Sequence, residues 1–157
     1  DLGIVGQRVP EIDLEKCRAC KVCQVVKACP MGDAQVGPDG KVTIDESACN
    51  HCGRCVGSCP FGAVTEGLCG YKVYIGGRWG KKTAHGRALD KIFTSEDEVM
   101  DVVERAILFF RDEGQSGERF ADTAARLGFD YVQDKLLTAP IDKEAILAKS
   151  VTGGATC

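Results

Sequence analysis

Eight of the ten cysteines stand in two runs whose spacing suits a ligand set. The first is Cys17-x2-Cys20-x2-Cys23-x5-Cys29-Pro30, and the second is Cys49-x2-Cys52-x2-Cys55-x3-Cys59-Pro60. Three thiolates two residues apart on a tight loop reach three corners of one iron–sulfur cubane. The proline after the fourth cysteine stops the chain from following the loop back, so that cysteine projects elsewhere. Two other uses of so many cysteines fit less well. A secreted disulfide scaffold would spread them, whereas here nine crowd into residues 17–69 and only Cys157 lies outside. Zinc prefers paired C-x2-C knuckles, often with histidine, and is poorly served by a repeated C-x2-C-x2-C closed by Cys-Pro.

The second run resembles that of bacterial ferredoxins, in which the fourth cysteine serves the other cluster. Crossed sharing follows. Cluster I is expected to take Cys17, Cys20, Cys23 and Cys59, and cluster II to take Cys49, Cys52, Cys55 and Cys29. The five-residue gap before Cys29 inserts two residues, half a helical turn, which can bulge out without moving the loop. Gly53 and Gly57 let backbone amides approach the sulfurs. Fully ligated cubanes leave no open iron for a substrate, so two of them on one short module make a wire and not a catalyst. His51, between ligands, is expected to be a supporting or surface group. Cys69 is expected to be a small buried hydrophobe in preference to a place near cluster I, and Cys157 an incidental thiol in a disordered tail.

The elements that position these runs are themselves repeated. "IDLEKCRACKVC…CPMG" (Ile12 to Gly32) and "IDESACNHCGRC…CPFG" (Ile44 to Gly62) share Ile-Asp at five and four residues before the first cysteine, and both close in Cys-Pro-x-Gly. Between them, Pro38-Asp39-Gly40 is turn chemistry and Val42 to Ile44 alternates as a strand. From Tyr71, "YKVYIGG" reads as a strand ending at Gly76-Gly77. After a glycine-punctuated basic loop, "SEDE" (Ser95 to Glu98) opens a helix as a capping box. Val99, Val102, Val103, Ala106, Ile107 and Phe110 form its apolar stripe, ending near Gly114. Further helices are predicted over Glu118 to Leu127 and Asp130 to Leu137, and a short one capped by Asp142.

The 157 residues suffice for a small cofactor module joined to a second small domain. The net charge of −3 is unevenly spread: −2 over residues 1–70, +5 over 71–92 and −6 over 93–157. A chain acidic overall is a poor nucleic-acid binder. No run approaches the ~20 apolar residues of a membrane span, and no secretory signal is visible. The repeated cysteine spacing suits a reducing compartment, so a cytoplasmic location is expected. The chain begins at Asp1 and not Met, which hints at processing or a cut chain.

A wider resemblance covers nearly all of Asp1 to Leu137. "YKVYIGGRWGKKTAHGRAL", the helix opened by "SEDE" and "GERFADTAARLG" (Gly117 to Gly128) look like the closing segment of the sirohaem-dependent sulfite and nitrite reductases. "DLGIVG" (Asp1 to Gly6) is similar to the Asp-Ile-Gly strand that follows that family's sirohaem cysteine motif. Anaerobic and dissimilatory-type members insert a two-cluster ferredoxin between those elements, in the order seen here, and the chain is most similar to the anaerobic sulfite reductase C-subunit type. The family's sirohaem-linked cluster uses a C-x5-C and a later C-x3-C. Cys23-x5-Cys29 and Cys55-x3-Cys59 have those gaps, but each of these cysteines is already required by its own run. The coupled motif belongs upstream of the "DLGIVG"-like strand, where this chain begins. The resemblance therefore implies a C-terminal fragment without catalytic ligands, which should not reduce sulfite alone.

The expected fold is α+β. Residues 1–16 are a strand remnant of the reductase domain and 17–69 a two-[4Fe-4S] ferredoxin module. Residues 70–140 are a strand-plus-helices reductase segment, and 141–157 a short helix and tail. The expected function is relay of single electrons from a donor protein through two [4Fe-4S] clusters to the sirohaem centre of a sulfite or nitrite reductase. Sirohaem itself is expected only in the full-length protein, and the rest of that polypeptide or a partner subunit is the receiving side. Arg78, Lys81, Lys82 and Arg87 on the basic loop are candidates for holding sirohaem's carboxylates, set against an ordinary solvated loop. Trp79 is expected to pack on the missing half or to cover the chain's own core. The alternative is a free-standing ferredoxin-like carrier whose helical tail docks a partner; a zinc-binding interaction module is a third reading.

Overall fold

The computed structural model describes residues 1–149. Cys157 and the tail segment "VTGGATC" lie outside the described residues. The chain divides into two compact units. One is continuous, Gly6–Gly70. The other is assembled from Asp1–Val5 and the chain from Tyr71 on, so the cysteine-bearing unit is an insertion in sequence.

Within Gly6–Gly70, strand β1 (Leu2–Ile12) enters the unit, and helix α1 (Gln24–Ala28), β2 (Ala34–Val36) and β3 (Val42–Ile44) follow. β2 and β3 pair antiparallel, Ala34 with Ile44 and Val36 with Val42. The turn between them is closed by Gly37 N–H to Lys41 O at 2.7 Å, and Gly40 has φ +79. The core is small: Val25, Ala34, Val42, Cys55 and Val64 are buried together, with Ile12, Ile44 and four further cysteines packed against them. A module this size buries little apolar area, and the cysteines take up much of the interior.

The two extra residues of the first run do not bulge: they complete α1, a single helical turn spanning the gap from Cys23 to Cys29. In the second run the three-residue gap is crossed by a tight turn with Gly57 at φ +73. Its N–H donates to Val64 O at 3.1 Å. One gap is thus closed by a helix and the other by a glycine turn.

In the second unit, strand β4 (Val64–Ile75) begins seven residues before Tyr71, where alternation alone places a strand. β4 is the central strand of one three-stranded sheet, with β1 on one side and β5 (Arg87–Ala88) on the other, in the order β1-β4-β5. α2 (Glu96–Glu113), α3 (Phe120–Leu127), α4 (Phe129–Leu137) and α5 (Lys143–Ala148) complete the unit. Ser95 caps α2 as its hydroxyl accepts from the Glu98 N–H at 3.2 Å. Glu98 returns the contact one residue earlier than a capping box does, to Thr94 N–H at 2.8 Å. The core joins Val73, Ile75, Leu89 and Phe93 to Val99, Val102, Ala106, Phe109, Phe120, Ala124, Val132 and Leu136. Ile107 does not belong to the buried stripe. It is 61% exposed, and Phe109 is buried in its place, because at 100° per residue the core face of α2 drifts past position 107. Among the described residues no helix is long and apolar enough to cross a membrane.

Candidate metal centre

Each ligand loop starts from the conserved-in-repeat aspartate. Asp13 Oδ1 accepts from the N–H groups of Glu15 and Lys16, at 3.0 and 3.3 Å. Asp45 Oδ1 accepts from the Ser47 N–H at 3.0 Å. These turns set the chain direction just before Cys17 and Cys49. The residue before the second cysteine of each run takes a left-handed conformation, Ala19 at φ 47 and His51 at φ 53. Non-glycine residues adopt that region at a cost. Its occurrence at the same place in both repeats marks it as what wraps C-x2-C around a common centre.

The loops bring the cysteines together in two groups. Cys17, Cys20, Cys23 and Cys59 line one hollow of about 130 Å³, with Val25, Val42, Pro60 and Phe61 among its other walls. Cys29 is not part of that lining. Instead Cys29, together with Cys49 and Cys52, lies near enough to Cys55 to act on its thiol electrostatically. The fourth cysteine of the second run thus lines the same hollow as the first three of the first.

The surroundings of the sulfurs differ, favouring the thiolate at Cys29 and opposing it at Cys55. Burial pushes the Cys29 thiol up, but the N–H groups of Ala34, Met31, Asp33 and Gly32 aim at it and together bring it below its usual range. This nest of amides follows from Cys-Pro-x-Gly: Gly32 takes φ +80, which turns successive N–H groups to one side. Gly62 has φ +69 at the matching place after Cys59. Cys49 Sγ accepts from the His51 N–H at 3.4 Å. Cys55 is buried, and burial raises its thiol, with the neighbouring thiols adding to the rise. Four thiols packed together without a cation repel as thiolates. The donor set, the hollow and the amide nest fit a cluster of iron and sulfide that would neutralise them.

Two supporting features were not legible beforehand. Arg8 N–H donates to His51 O at 2.9 Å, pinning β1 to the second ligand loop, and the Arg8 side chain pairs with Glu66. Gly53 is needed there: a β-carbon on it would sit 2.5 Å from Arg8 Cβ, and its φ is +71. The His51 Nδ1 is buried without a partner.

One expectation needs correction and two are narrowed. Cys69 is not a buried hydrophobe: it is exposed on β4, beside Glu66 and Arg8, on a stretch where the adjacent Leu68 is exposed as well and the described residues cover neither face. Trp79 covers no core of its own and is 83% exposed. The basic loop is not a set of four free cations. Arg78 is nearly buried and grips both Asp122 oxygens at 2.7 and 2.8 Å. The Arg87 guanidinium lies 3.8 Å from the centre of the Phe129 ring. Lys81 and Lys82 are exposed. The "GERFADTAARLG" segment has the same structural character. Glu118 accepts from Arg126 at 2.8 Å and from the Thr123 hydroxyl at 2.8 Å, while Asp122 accepts from the Arg119 N–H at 3.2 Å, so its polar residues tie down α3.

Comparison with known proteins places this geometry. A stretch of 57 residues is 37% identical to pyruvate synthase subunit PorD of Methanocaldococcus jannaschii, covering 36% of this chain and 64% of that one. A stretch of 54 residues is 37% identical to a ferredoxin of Methanothermococcus thermolithotrophicus, covering 34% of this chain and 90% of the ferredoxin. Indolepyruvate oxidoreductase subunit IorA of Methanothermobacter marburgensis is 42% identical over 62 residues, covering 40% of this chain but 10% of that protein. Among solved structures, dissimilatory sulfite reductase I superposes on 90% of this chain with a TM-score of 0.59 and 23% identity, a likeness of fold that takes in 39% of the larger chain. The family pattern described as "Nitrite and sulphite reductase 4Fe-4S domain" matches residues 1–143. This chain belongs to the nitrite and sulphite reductase 4Fe-4S domain family.

Proposed function

We propose that the chain relays single electrons through two [4Fe-4S] clusters toward the sirohaem centre of a sulfite or nitrite reductase. The observation that carries the reading is that Cys59 of the second run lines one hollow with Cys17, Cys20 and Cys23 of the first, and Cys29 acts on Cys55 instead. Cys17, Cys20, Cys23 and Cys59 would hold one cluster, and Cys49, Cys52, Cys55 and Cys29 the other. Each cluster supplies reversible one-electron chemistry. The protein's residues orient the sulfurs, exclude water with Val25, Val42 and Val64, and stabilise sulfur charge through the amides around Cys29. No cysteine in the two groups is spare for a further cluster, so the chain's role is conduction. The receiving sirohaem and its anion substrate belong to the rest of the reductase polypeptide or a partner subunit, in the cytoplasm. Of the basic loop, Lys81 and Lys82 are the residues left to meet sirohaem's carboxylates, since Arg78 and Arg87 have partners within their own unit.

A free-standing carrier is the second reading, favoured by the near-complete coverage of a small ferredoxin. The mass and anaerobic spectrum of the native polypeptide separate them: a longer chain with sirohaem bands supports the relay, and a chain of this length with only broad cluster absorption supports the carrier. Iron and sulfide analysis tests the clusters themselves. Two clusters' worth of each is expected in the wild type and one cluster's worth in Cys29→Ala or Cys59→Ala. Full iron in either variant would sink the crossed assignment.

A further inference from the structure

The two ligand loops share a backbone but not a surface. At matching places the first carries Arg18 and Lys21 where the second carries Asn50 and Gly53, while the second has a single exposed cation, Arg54, where the first has Val22. The turn before the first run contains Lys16, paired with Asp13 at 2.8 Å. The turn before the second contains Asp45 and Glu46, with no basic residue between them and Cys49. Arg18 is part of the wall of the hollow lined by Cys17, Cys20, Cys23 and Cys59. Two apolar side chains of the same wall face solvent, Val22 at 54% and Phe61 at 50% exposure. Arg18, Lys21 and Cys20 are themselves exposed. Among the described residues neither Arg18 nor Lys21 has an ion-pair partner. Every one of these residues lies within Gly6–Gly70.

An apolar patch ringed by unpaired positive charge, directly over a redox centre, is what a transient electron-transfer contact uses. Such contacts are small, and charge complementarity supplies the encounter rate while the apolar centre brings the redox groups close. We infer that the rim formed by Arg18, Lys21, Val22 and Phe61 is the docking surface for an acidic one-electron carrier protein, and that electrons reach the chain at the Cys17/Cys20/Cys23/Cys59 centre. This rests on the two-cluster reading. In the transfer step the reduced carrier loses one electron and the cluster gains it; no bond forms or breaks. The partner's charge follows from the rim: a basic carrier would be repelled there and drawn toward Asp45 and Glu46.

The test uses the cluster-loaded chain and an acidic [2Fe-2S] ferredoxin as the probe. Binding of the oxidised probe is measured by calorimetry at low and high salt. A complex is expected at about 20 mM salt that weakens at least tenfold by about 200 mM. Lys21→Glu should weaken it about tenfold at low salt, and Glu46→Lys should leave it within twofold. Carbodiimide should couple Lys21 to a probe carboxylate. No complex at low salt, a Kd indifferent to salt, or a loss in Glu46→Lys instead of Lys21→Glu overturns the inference. The salt series on the wild type decides it even if Lys21→Glu loses iron. Methyl viologen radical, which needs no docking site, separates the two ideas. Its reduction of the wild type and Lys21→Glu at equal rates, while the reduced ferredoxin slows on the variant, supports the docking surface. Failure of viologen to reduce either chain overturns the two-cluster relay, and this inference with it.

Discussion

Gly53 and Gly57 provide a matched pair for asking what holds the second ligand loop. Both take a left-handed backbone, φ +71 and +73. Alanine at either position bears the left-handed penalty of roughly 1–2 kcal/mol. The surroundings differ. Around Gly57 there is nothing within 4 Å of an added β-carbon. At Gly53 that carbon falls 2.5 Å from Arg8 Cβ and 2.9 Å from Arg8 Cδ. The δ-carbon can swing aside, but the β-carbon moves only with β1, which is held by the Arg8 N–H to His51 O bond of 2.9 Å. Overpacking against fixed backbone adds about 1–3 kcal/mol. Gly53→Ala should therefore cost roughly 2–5 kcal/mol and Gly57→Ala roughly 1–2. With a urea slope of about 2 kcal/mol/M, the midpoints should fall by about 1–2.5 M and about 0.5–1 M. The assay is an anaerobic urea titration followed by visible cluster absorption and by far-UV circular dichroism. Equal shifts, or a larger one for Gly57→Ala, would refute the claim that β1 is braced against this loop.

Four further outcomes are expected. Cys69→Ser should keep full iron content, because Cys69 is exposed and lies with neither group of four; a missing cluster would reinstate it as a ligand. Leu136→Ala, at 1% exposure, should cost about 2–5 kcal/mol in denaturant titration, whereas Ile107→Ala, at 61%, should change stability by less than about 0.5 kcal/mol. Asp122→Asn and Arg78→Lys should each lower the melting temperature, and the double variant should be less than additive, since one bidentate contact is lost in all three. The Arg126 guanidinium beside Glu118 holds its carboxyl down at about 2, from an ordinary 4.5. A depressed carboxylate stabilises the fold above its unfolded value, so this contribution is lost as pH falls from about 4.5 toward about 2. Glu118→Gln should flatten part of that acid-side loss in helical circular dichroism, and an unchanged acid profile would remove Glu118 from the account.

The sequence alone determined what depends on near neighbours in the chain. The repeated cysteine runs and the caps at Ser95 and Asp142 all rest on spacings of two to five residues; the caps form in place, and the repeat shows as matching left-handed residues, Ala19 and His51. The stop at Gly114 is of the same kind. Even there, local reasoning took the five-residue gap for a bulge, when two more residues are just enough to close α1. What only the tertiary structure decided involves distant partners. Arg78 and Asp122 are 44 residues apart and Arg8 and Glu66 are 58 apart. Nothing in a basic loop announces that one arginine is buried against a helix while its neighbours face water. Cys69 reads as buried by residue type and is exposed because the described residues cover this stretch of β4 on neither face. The return of the chain, not its spacing, brings Cys59 into the hollow with Cys17, Cys20 and Cys23. Local order sets which groups are offered; closure of loops tens of residues long sets which of them meet.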